Sequence, residues 1–135
     1  MSTKVLDSWA LIAFFEDEPA AVDVEKLLQQ AADAKHKLLM SVVNWGEVYY
    51  NTMRTVSREA AEEQAQNIKA LPIDIIGVSD DLVLTKQAAI YKAAHRMSYA
   101  DCFAAALAKQ KNAELITGDP EFKAVENEVK IAWLK

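Results

Sequence analysis

Residues 98–108 read SYADCFAAALA, and this stretch predicts a helix. Phe103 and Leu107 are four residues apart, the spacing that places apolar side chains on one face of a helix, and alanine has the highest helix propensity. One carboxylate, that of Asp101, lies in the first turn. Because Ser98 stands three residues earlier, a capping pair explains this acid as well as a functional role does. The functional interpretation therefore depends on other acids that the fold brings to Asp101.

Short apolar segments with strand character alternate with helical segments along the whole chain. Strands are predicted at residues 4–6, 38–40, 73–76, 113–117 and 129–133. Helices are predicted at residues 8–15, from Pro19 onward, after Ser41, at 58–70, at 80–94 with Ser79 as cap, at 98–108 and, briefly, from Asp119. This order predicts an α/β protein, a three-layer α/β/α sandwich with a central, mainly parallel sheet. Since no repeat, low-complexity tract or linker interrupts it, residues 1–135 are expected to form a single domain.

The composition is that of an ordinary globular protein. Hydrophobic residues make up 52% and charged residues 26% of the chain, and no apolar run approaches the roughly 20 residues that a membrane helix needs. The single cysteine, Cys102, excludes an internal disulfide, so we expect a reduced core thiol and a cytoplasmic protein that does not enter the membrane. The net charge of −5 argues against the usual basic type of nucleic-acid binder. An acidic protein can still act on nucleic acid if metal ions cancel the charge at its site.

Three more acids stand where a predicted strand gives way to a helix. Asp7 directly follows the first strand, Glu47 lies in the helix after the second, and Asp119 follows the fourth. Ligands of open α/β sheets bind beyond the carboxyl ends of the strands, where these acids would meet Asp101. Each acid alone could instead cap a helix, Glu47 through a capping box with Asn44. For each acid taken alone, both explanations stay open.

A cluster of carboxylates has an electrostatic cost that helix capping does not explain. Two carboxylates about 4 Å apart repel each other by about 4 kcal/mol at an effective dielectric constant of about 20. A fold that gathers several of them needs raised pKa values or a cation between them. The cations Mg²⁺ and Mn²⁺ match such oxygen ligands. Because a site of this kind activates water and stabilises charge on a phosphate oxygen, the sequence predicts phosphodiester hydrolysis.

Four segments around these acids resemble the acidic motifs of PIN-domain ribonucleases, in particular those of VapC-type toxins from toxin–antitoxin pairs. The segments read VLDS at residues 5–8, NWGEV at 44–48, SYADCF at 98–103 and TGDPEF at 117–122. Their order and spacing agree with the family over the whole chain. The resemblance implies an α/β/α sandwich around a parallel sheet, a metal-dependent endoribonuclease activity, and the role of the toxin in a VapBC-type pair.

The resemblance also implies a role for each acid. Asp7, Glu47, Asp101 and Asp119 correspond to the family's catalytic quartet. Asp7 and Asp101 would be direct ligands of Mg²⁺ or Mn²⁺. Asp119 and Glu47 would bind the ion directly or through water, or hold and activate the attacking water, and we count Asp119 among the metal ligands.

Hydroxyl groups beside the acids are implied to support the site. Thr117, two residues before Asp119, would do so, and Ser8 is a second candidate. Trp9 stands where many relatives carry a small polar residue, so any support from that position is lost or passes to Ser8. Glu121 also matches the last motif, but we expect it to be a solvated acid in the first turn of a helix.

Cations and aromatic residues near the motifs each have two possible uses. Lys92, His95 and Arg96 either face an RNA backbone or form a solvated helix end, and we favour the helix end. His36, between two lysines, is expected at the surface. The aromatic residues near the acids are expected to pack in the core or in an interface, with base stacking as a second use: Trp9, Trp45, Tyr49 and Tyr50.

The resemblance implies three partners: RNA as substrate, a cognate VapB-type antitoxin, and a second copy of the chain in a homodimer. In such pairs the tail of the antitoxin lies along the toxin and places a basic side chain among the acids. A guanidinium group can occupy such a site in place of a metal ion.

Two other classes of protein stay open on the sequence alone. A phosphotransfer or receiver-type domain also clusters acids at strand ends and would be phosphorylated on Asp7. Against it, Trp9 stands where dehalogenase-like phosphatases need a second Asp, and Gly118 follows the strand where a receiver carries Lys. The main alternative is a binding module that keeps the acids of the metal site without catalysis.

Overall fold

A five-stranded sheet forms the middle of the molecule. The computed structural model describes residues 2–135. The strands are β1 (Ser2–Leu6), β2 (His36–Ser41), β3 (Ile73–Ile76), β4 (Glu114–Thr117) and β5 (Ile131–Trp133). They lie in the order β3-β2-β1-β4-β5, and every neighbouring pair is parallel. The predicted mainly parallel sheet is therefore confirmed, and it is parallel throughout.

Helices connect these strands. They are α1 (Ser8–Phe15), α2 (Ala21–Ala32), α3 (Val42–Thr55), α4 (Arg58–Lys69), α5 (Val83–Ala94), α6 (Tyr99–Gln110) and a short 3-10 helix (Pro120–Val125). Side-chain oxygens of Asp7, Ser41, Ser57 and Ser98 cap α1, α3, α4 and α6 by accepting backbone N–H groups of the first turn. Between residues 2 and 135, no helix combines the length and the apolar character of a membrane span.

Each face of the sheet has its own apolar core, because consecutive residues of a strand point to opposite faces. Val5 packs with α5 and α6 on one face, and Leu6 packs with α1 and α2 on the other. Residues 101–108 of α6 are all buried, since this helix contacts the sheet, α5 and α3. The predicted three-layer sandwich is confirmed.

The order of the strands reverses beside β1. From β1 the chain builds β2 and β3 outward on one side, and then returns to build β4 and β5 on the other. A crevice opens at such a switch point, here beyond the carboxyl ends of β1 and β4. Asp7 directly follows β1, and Gly118 and Asp119 directly follow β4. The fold therefore places these residues at the crevice.

Two boundaries near α2 differ from the predictions. The helix begins at Ala21 rather than at Pro19, because a turn closed by the N–H of Ala21 and the carbonyl of Glu18, 2.8 Å apart, precedes it. Strand β2 begins at His36, which was expected at the surface. The imidazole is buried because its Nε2 donates to the carbonyl of Leu27 in α2 at 3.0 Å.

Helix α5 also begins later than predicted. It starts at Val83 rather than at residue 80, and Ser79 is not its cap. The side chain of Asp81 accepts the N–H of Val83 at 3.0 Å, and Leu82 adopts a left-handed backbone conformation with φ 67°. Local side-chain bonds of this kind compete with the first helical turn.

Candidate functional site

A chain of hydrogen bonds organises the crevice beyond β1 and β4. The carboxylate of Asp7 is completely buried, and its Oδ1 accepts the N–H of Ala10 at 2.9 Å. Its Oδ2 accepts the hydroxyl of Thr117 at 2.5 Å. The same hydroxyl oxygen accepts the N–H of Asp119 at 3.0 Å. Thr117 therefore links Asp7 to the loop that carries Asp119.

A second group of acids lies beside this chain. Asp101, Asp119 and Glu121 each offer one carboxylate oxygen, and these atoms lie within 4.8 Å of one another. Asp119 also caps the 3-10 helix, since its Oδ1 accepts the N–H of Glu121 at 2.9 Å. Glu121 is exposed, as expected, but its carboxylate reaches the same point as the other two acids. It is an additional candidate ligand that the sequence analysis set aside.

Glu47 reaches the crevice from α3, where it accepts a hydrogen bond from the hydroxyl of Ser8. The structure rules out the capping box between Glu47 and Asn44. The cap of α3 is Ser41, whose hydroxyl accepts the N–H of Val43 at 3.1 Å. The contact with Ser8 holds the carboxylate of Glu47 toward the start of α1.

Asn44 contributes to the site in a way that the sequence analysis did not predict. It is completely buried, and its Nδ2 donates to the carbonyl of Ala100 in the first turn of α6 at 3.1 Å. Its Oδ1 has no partner among residues 2–135. The bond ties the helix that carries Glu47 to the helix that carries Asp101. Its place at the start of the motif at residues 44–48 is the sequence signal for this residue.

The carboxyl group of Asp7 is hard to ionise in this environment. Burial raises its pKa to about 7, although the hydrogen bonds from Thr117 and Ala10 act in the opposite direction. The negative charges of Asp119 and Glu47 raise the pKa further. Asp7 is therefore partly protonated near neutral pH when no cation is present.

Asp101 behaves in the same way. Burial raises its pKa to about 8, and a hydrogen bond with Glu121 adds to the increase. Three other negative side chains raise it further: Asp119, Asp7 and Glu47. The charges of the other three predicted acids therefore all act on Asp101, which requires that they lie near it.

The donor set fits a hard divalent cation. Within residues 2–135, the group that can hold an ion consists of carboxylate oxygens. Such ligands suit Mg²⁺ and Mn²⁺, whereas softer metals prefer thiolate or imidazole. A positive ion among these acids would offset the repulsion that raises the pKa of Asp7 and Asp101.

A cavity of about 580 Å³ opens above the acids. It is lined by Ser8, Trp9, Ile12, Glu47, Tyr50, Asn51, Ser98, Asp101, Asp119, Pro120 and Glu121. Asp7 does not line it, and its carboxylate has no exposed surface. A phosphodonor would have to displace the packing around Asp7 to reach its carboxylate, and a directly bound metal ion would have to do the same.

Of the candidate cations, Lys92 has a structural role. The Nζ of Lys92 donates to the carbonyl of Met97 at 2.7 Å, so this side chain holds the loop before α6. Arg96 is exposed and does not line the cavity. The guanidinium carbon of Arg54 lies 5.0 Å from the ring centre of Tyr50, which does line it. Arg54 on α3 is therefore a cation in contact with a residue that lines the cavity.

The fold is an α/β sandwich with an all-parallel sheet, and carboxylates gather at its switch point. These two features define a class of proteins that have an acidic site of oxygen ligands at the carboxyl edge of the sheet. Within this class, the PIN domain family model matches residues 4–128. The chain belongs to the PIN domain family. This match confirms the resemblance drawn from the four motifs. No curated protein matches the chain in sequence.

Solved structures share this fold over nearly the whole chain. VapBC2 from Rickettsia felis, bound to a promoter DNA fragment, aligns with a TM-score of 0.72 and 15% identity over 98% of this chain and 99% of that chain. A toxin–antitoxin complex from Klebsiella pneumoniae aligns with a TM-score of 0.64 and 17% identity over 96% and 95%. VapC20 of Mycobacterium tuberculosis, a toxin that cleaves the sarcin–ricin loop, aligns with a TM-score of 0.68 and 19% identity over 92% and 95%. At these identities the likeness shows the fold alone.

Proposed function

We propose that this protein is a metal-dependent endoribonuclease and the toxin of a VapBC-type toxin–antitoxin pair. The observation that carries the proposal is the convergence of acids from four separate segments on one edge of the sheet: Glu47, Asp101 and Asp119 line one cavity, and Thr117 joins Asp7 to Asp119. Capping accounts for single acids, whereas it does not account for several mutually repelling carboxylates in one place. Membership of the PIN domain family supports the proposal, as does the fold shared with VapBC proteins.

The carboxylates would hold Mg²⁺ or Mn²⁺. Asp101 and Asp119 offer oxygens at one point together with Glu121. Asp7 stays in the proposed ligand set, because each of its oxygens accepts one hydrogen bond and keeps a second lone pair. When bound, such an ion stabilises charge on a phosphate oxygen and lowers the pKa of water.

The other side chains prepare the site for attack of water on a phosphodiester. Glu47, held by Ser8, would accept a proton from the attacking water. Thr117 fixes the positions of Asp7 and Asp119 through two hydrogen bonds. The packing around Asp7 excludes water, so that charges act on one another more strongly than they do in bulk solvent.

An antitoxin would inhibit the enzyme by covering the cavity. Without a metal ion, the acids attract a guanidinium group, which can bind a carboxylate through two hydrogen bonds. Tyr50 and Met53 expose apolar surface on α3, and Tyr50 lines the cavity. The Klebsiella pneumoniae structure is a toxin–antitoxin complex with this fold. A cognate antitoxin is therefore part of the proposal, and so is a homodimer, which the family resemblance implies.

Cleavage of a mixed RNA pool by the purified protein tests the proposed activity. We expect cleavage with Mn²⁺ or Mg²⁺ and none with a chelator. Asp101→Asn should lower the rate by roughly a hundredfold or more, because it removes a carboxylate from the site. The matched control is Asp80→Asn, which removes an exposed carboxylate in a loop before α5 and should leave the rate unchanged. Equal cleavage by the Asp101→Asn protein would contradict the proposal, and metal binding without any cleavage would favour the non-catalytic binding module.

A further inference from the structure

The aromatic residues near the acids fall into two pairs. Trp45 and Tyr49 stack on each other with ring centres 5.5 Å apart, and the hydroxyl of Tyr49 donates to Glu62 on α4 at 2.6 Å. Trp9 and Tyr50 instead border the acidic cavity. Packing between α3 and α4 accounts for the positions of Trp45 and Tyr49. It does not account for the positions of Trp9 and Tyr50 at the cavity.

Trp9 is held flat against the backbone beside the acids. Its six-membered ring fills the space into which a Cβ at Gly118 would project, so that the ring contacts the main chain directly before Asp119. Gly118 does not have a positive φ. The absence of a side chain at this position therefore serves the close approach of Trp9. The indole is half-buried and borders the same cavity as Asp101 and Asp119.

Tyr50 and Arg54 extend this side of the cavity along α3. Tyr50 and Arg54 follow Glu47 by three and seven residues on α3. This spacing places the three side chains on one face of the helix. The ring of Tyr50 is 47% exposed, and the guanidinium group of Arg54 lies over it. A positive charge thus stands at the rim of a cavity whose floor is acidic. An RNA strand carries both an aromatic base and a phosphate that match these groups.

The geometry points to Trp9 as a stacking platform for an unpaired RNA base next to the phosphodiester that is cut. A base inside a duplex has both faces covered by its neighbours, so that only an unpaired nucleotide can lay a base face on this ring. A cavity of about 580 Å³ is of the size that takes one nucleotide-sized ligand. Trp9 is therefore assigned as a base-binding residue of the crevice, an inference that rests on the proposed nuclease function.

Fluorescence of Trp9 tests the platform directly. Trp45→Phe and Trp133→Phe together leave Trp9 as the single tryptophan. With Mg²⁺ present, guanosine 5′-monophosphate should quench its emission, whereas ribose 5-phosphate, which has the same sugar and phosphate without a base, should not. An equal response to both compounds, or no response to the nucleotide, overturns the proposal.

Cleavage of a hairpin RNA by two variants tests the role of Trp9 in substrate binding. Trp9→Phe keeps an aromatic ring and should stay within a few-fold of the wild-type KM, whereas Trp9→Leu keeps an apolar side chain without a ring and should raise KM roughly tenfold with less effect on kcat. Cuts should fall in the loop and not in the stem. Thermal unfolding and Mn²⁺ affinity of both variants serve as controls for folding.

Two results of the hairpin experiment would overturn the proposal. One is efficient cutting of the paired stem, and the other is an equal KM for Trp9→Leu and Trp9→Phe, as expected if a protein partner rather than RNA uses this surface. If the wild-type protein cuts no RNA with either metal, the nuclease function fails instead, and quenching by the nucleotide still tests the base platform separately.

Discussion

Asp7 shows that one carboxylate can cap a helix and also belong to a functional site. Its Oδ1 caps α1, and its Oδ2 receives the hydroxyl of Thr117. Asp119 does the same, because it caps the 3-10 helix and shares the acid group with Asp101. The two explanations that the sequence leaves open for these acids are therefore compatible, and finding a cap does not argue against a site.

Thr117→Val tests the proposed support of the acids at the scale of one side chain. Valine keeps the volume of threonine and removes the hydroxyl that donates to Asp7 and accepts from Asp119. Because the hydrogen bond from Thr117 lowers the pKa of Asp7, its loss should raise that pKa and weaken metal binding at neutral pH. We expect cleavage to fall roughly 10- to 100-fold, measured as the initial rate over a series of Mn²⁺ concentrations.

The matched control for this variant is Thr117→Ser, which keeps the hydroxyl and removes a methyl group. It should stay close to the wild type in rate and in the Mn²⁺ concentration needed for half of that rate. Similar losses in both variants would mean that the methyl contacts matter and the hydrogen bonds do not.

At the scale of elements, α6 is the helix that the rest of the fold surrounds. Ala104, Ala105 and Ala106 have no exposed surface, and their small side chains let the sheet and α5 approach closely. The sequence predicts one apolar face for this stretch, whereas the structure buries every residue from Asp101 to Ala108. The burial of Asp101 itself is what desolvates its carboxyl group and raises its pKa.

Asn44→Ala tests whether the contact between α3 and α6 positions the acids. The change removes the hydrogen bond to Ala100 and leaves a small cavity in a buried location. We expect the free energy of unfolding to fall by about 1–3 kcal/mol. We also expect weaker Mn²⁺ binding, because Glu47 and Asp101 are carried by the two helices that the bond joins.

Thr52→Ala provides the control for a purely structural loss. Thr52 is buried on the same helix and donates to Gln64 on α4 at 2.7 Å, away from the acids. Its removal should reduce stability to a similar extent in urea unfolding and leave Mn²⁺ affinity unchanged. If both variants weaken Mn²⁺ binding equally, the contact of Asn44 has no special role in the site.

At the scale of the whole molecule, the hydrophobic periodicity and the alternation of segments along the chain predict much of the fold. The alternation of strands and helices is local information, so the α/β class and the parallel sheet could be predicted before any contact was known. The order β3-β2-β1-β4-β5 could not, because it depends on which strands pair across distance. Three predicted starts were wrong for a related reason: Pro19 for α2, residue 38 for β2 and residue 80 for α5. Turn hydrogen bonds and a buried imidazole set the observed starts at Ala21, His36 and Val83.

The candidate site divides in the same way. The four predicted acids could be named from motifs because each stands where a strand gives way to a helix or in a helix that leads to one. The roles of Asn44 and Glu121 could not be predicted from the motifs that contain them, since both depend on where separate elements meet. The contact between Trp9 and Gly118 likewise joins residues far apart in the chain. The ligand roles of Asp7, Asp101 and Asp119 stay predictions.

One measurement addresses the central claim that acids from separate segments form a single cation site. Mn²⁺ is titrated calorimetrically into the metal-free protein near pH 7 and near pH 9, in buffers with different enthalpies of protonation. Burial raises the pKa of Asp7 to about 7 and that of Asp101 to about 8, so these carboxyls keep part of their protons near pH 7. Binding of the ion must displace those protons.

The account predicts Mn²⁺ binding with release of protons near pH 7, less release near pH 9, and an affinity that rises with pH between the two. Asp101→Asn should abolish most of the binding and the proton release. Glu126→Gln, which removes an exposed carboxylate at the far end of the same 3-10 helix as Glu121, should change neither. Binding that is equally tight in the Asp101→Asn protein, or no binding at either pH, would contradict the account.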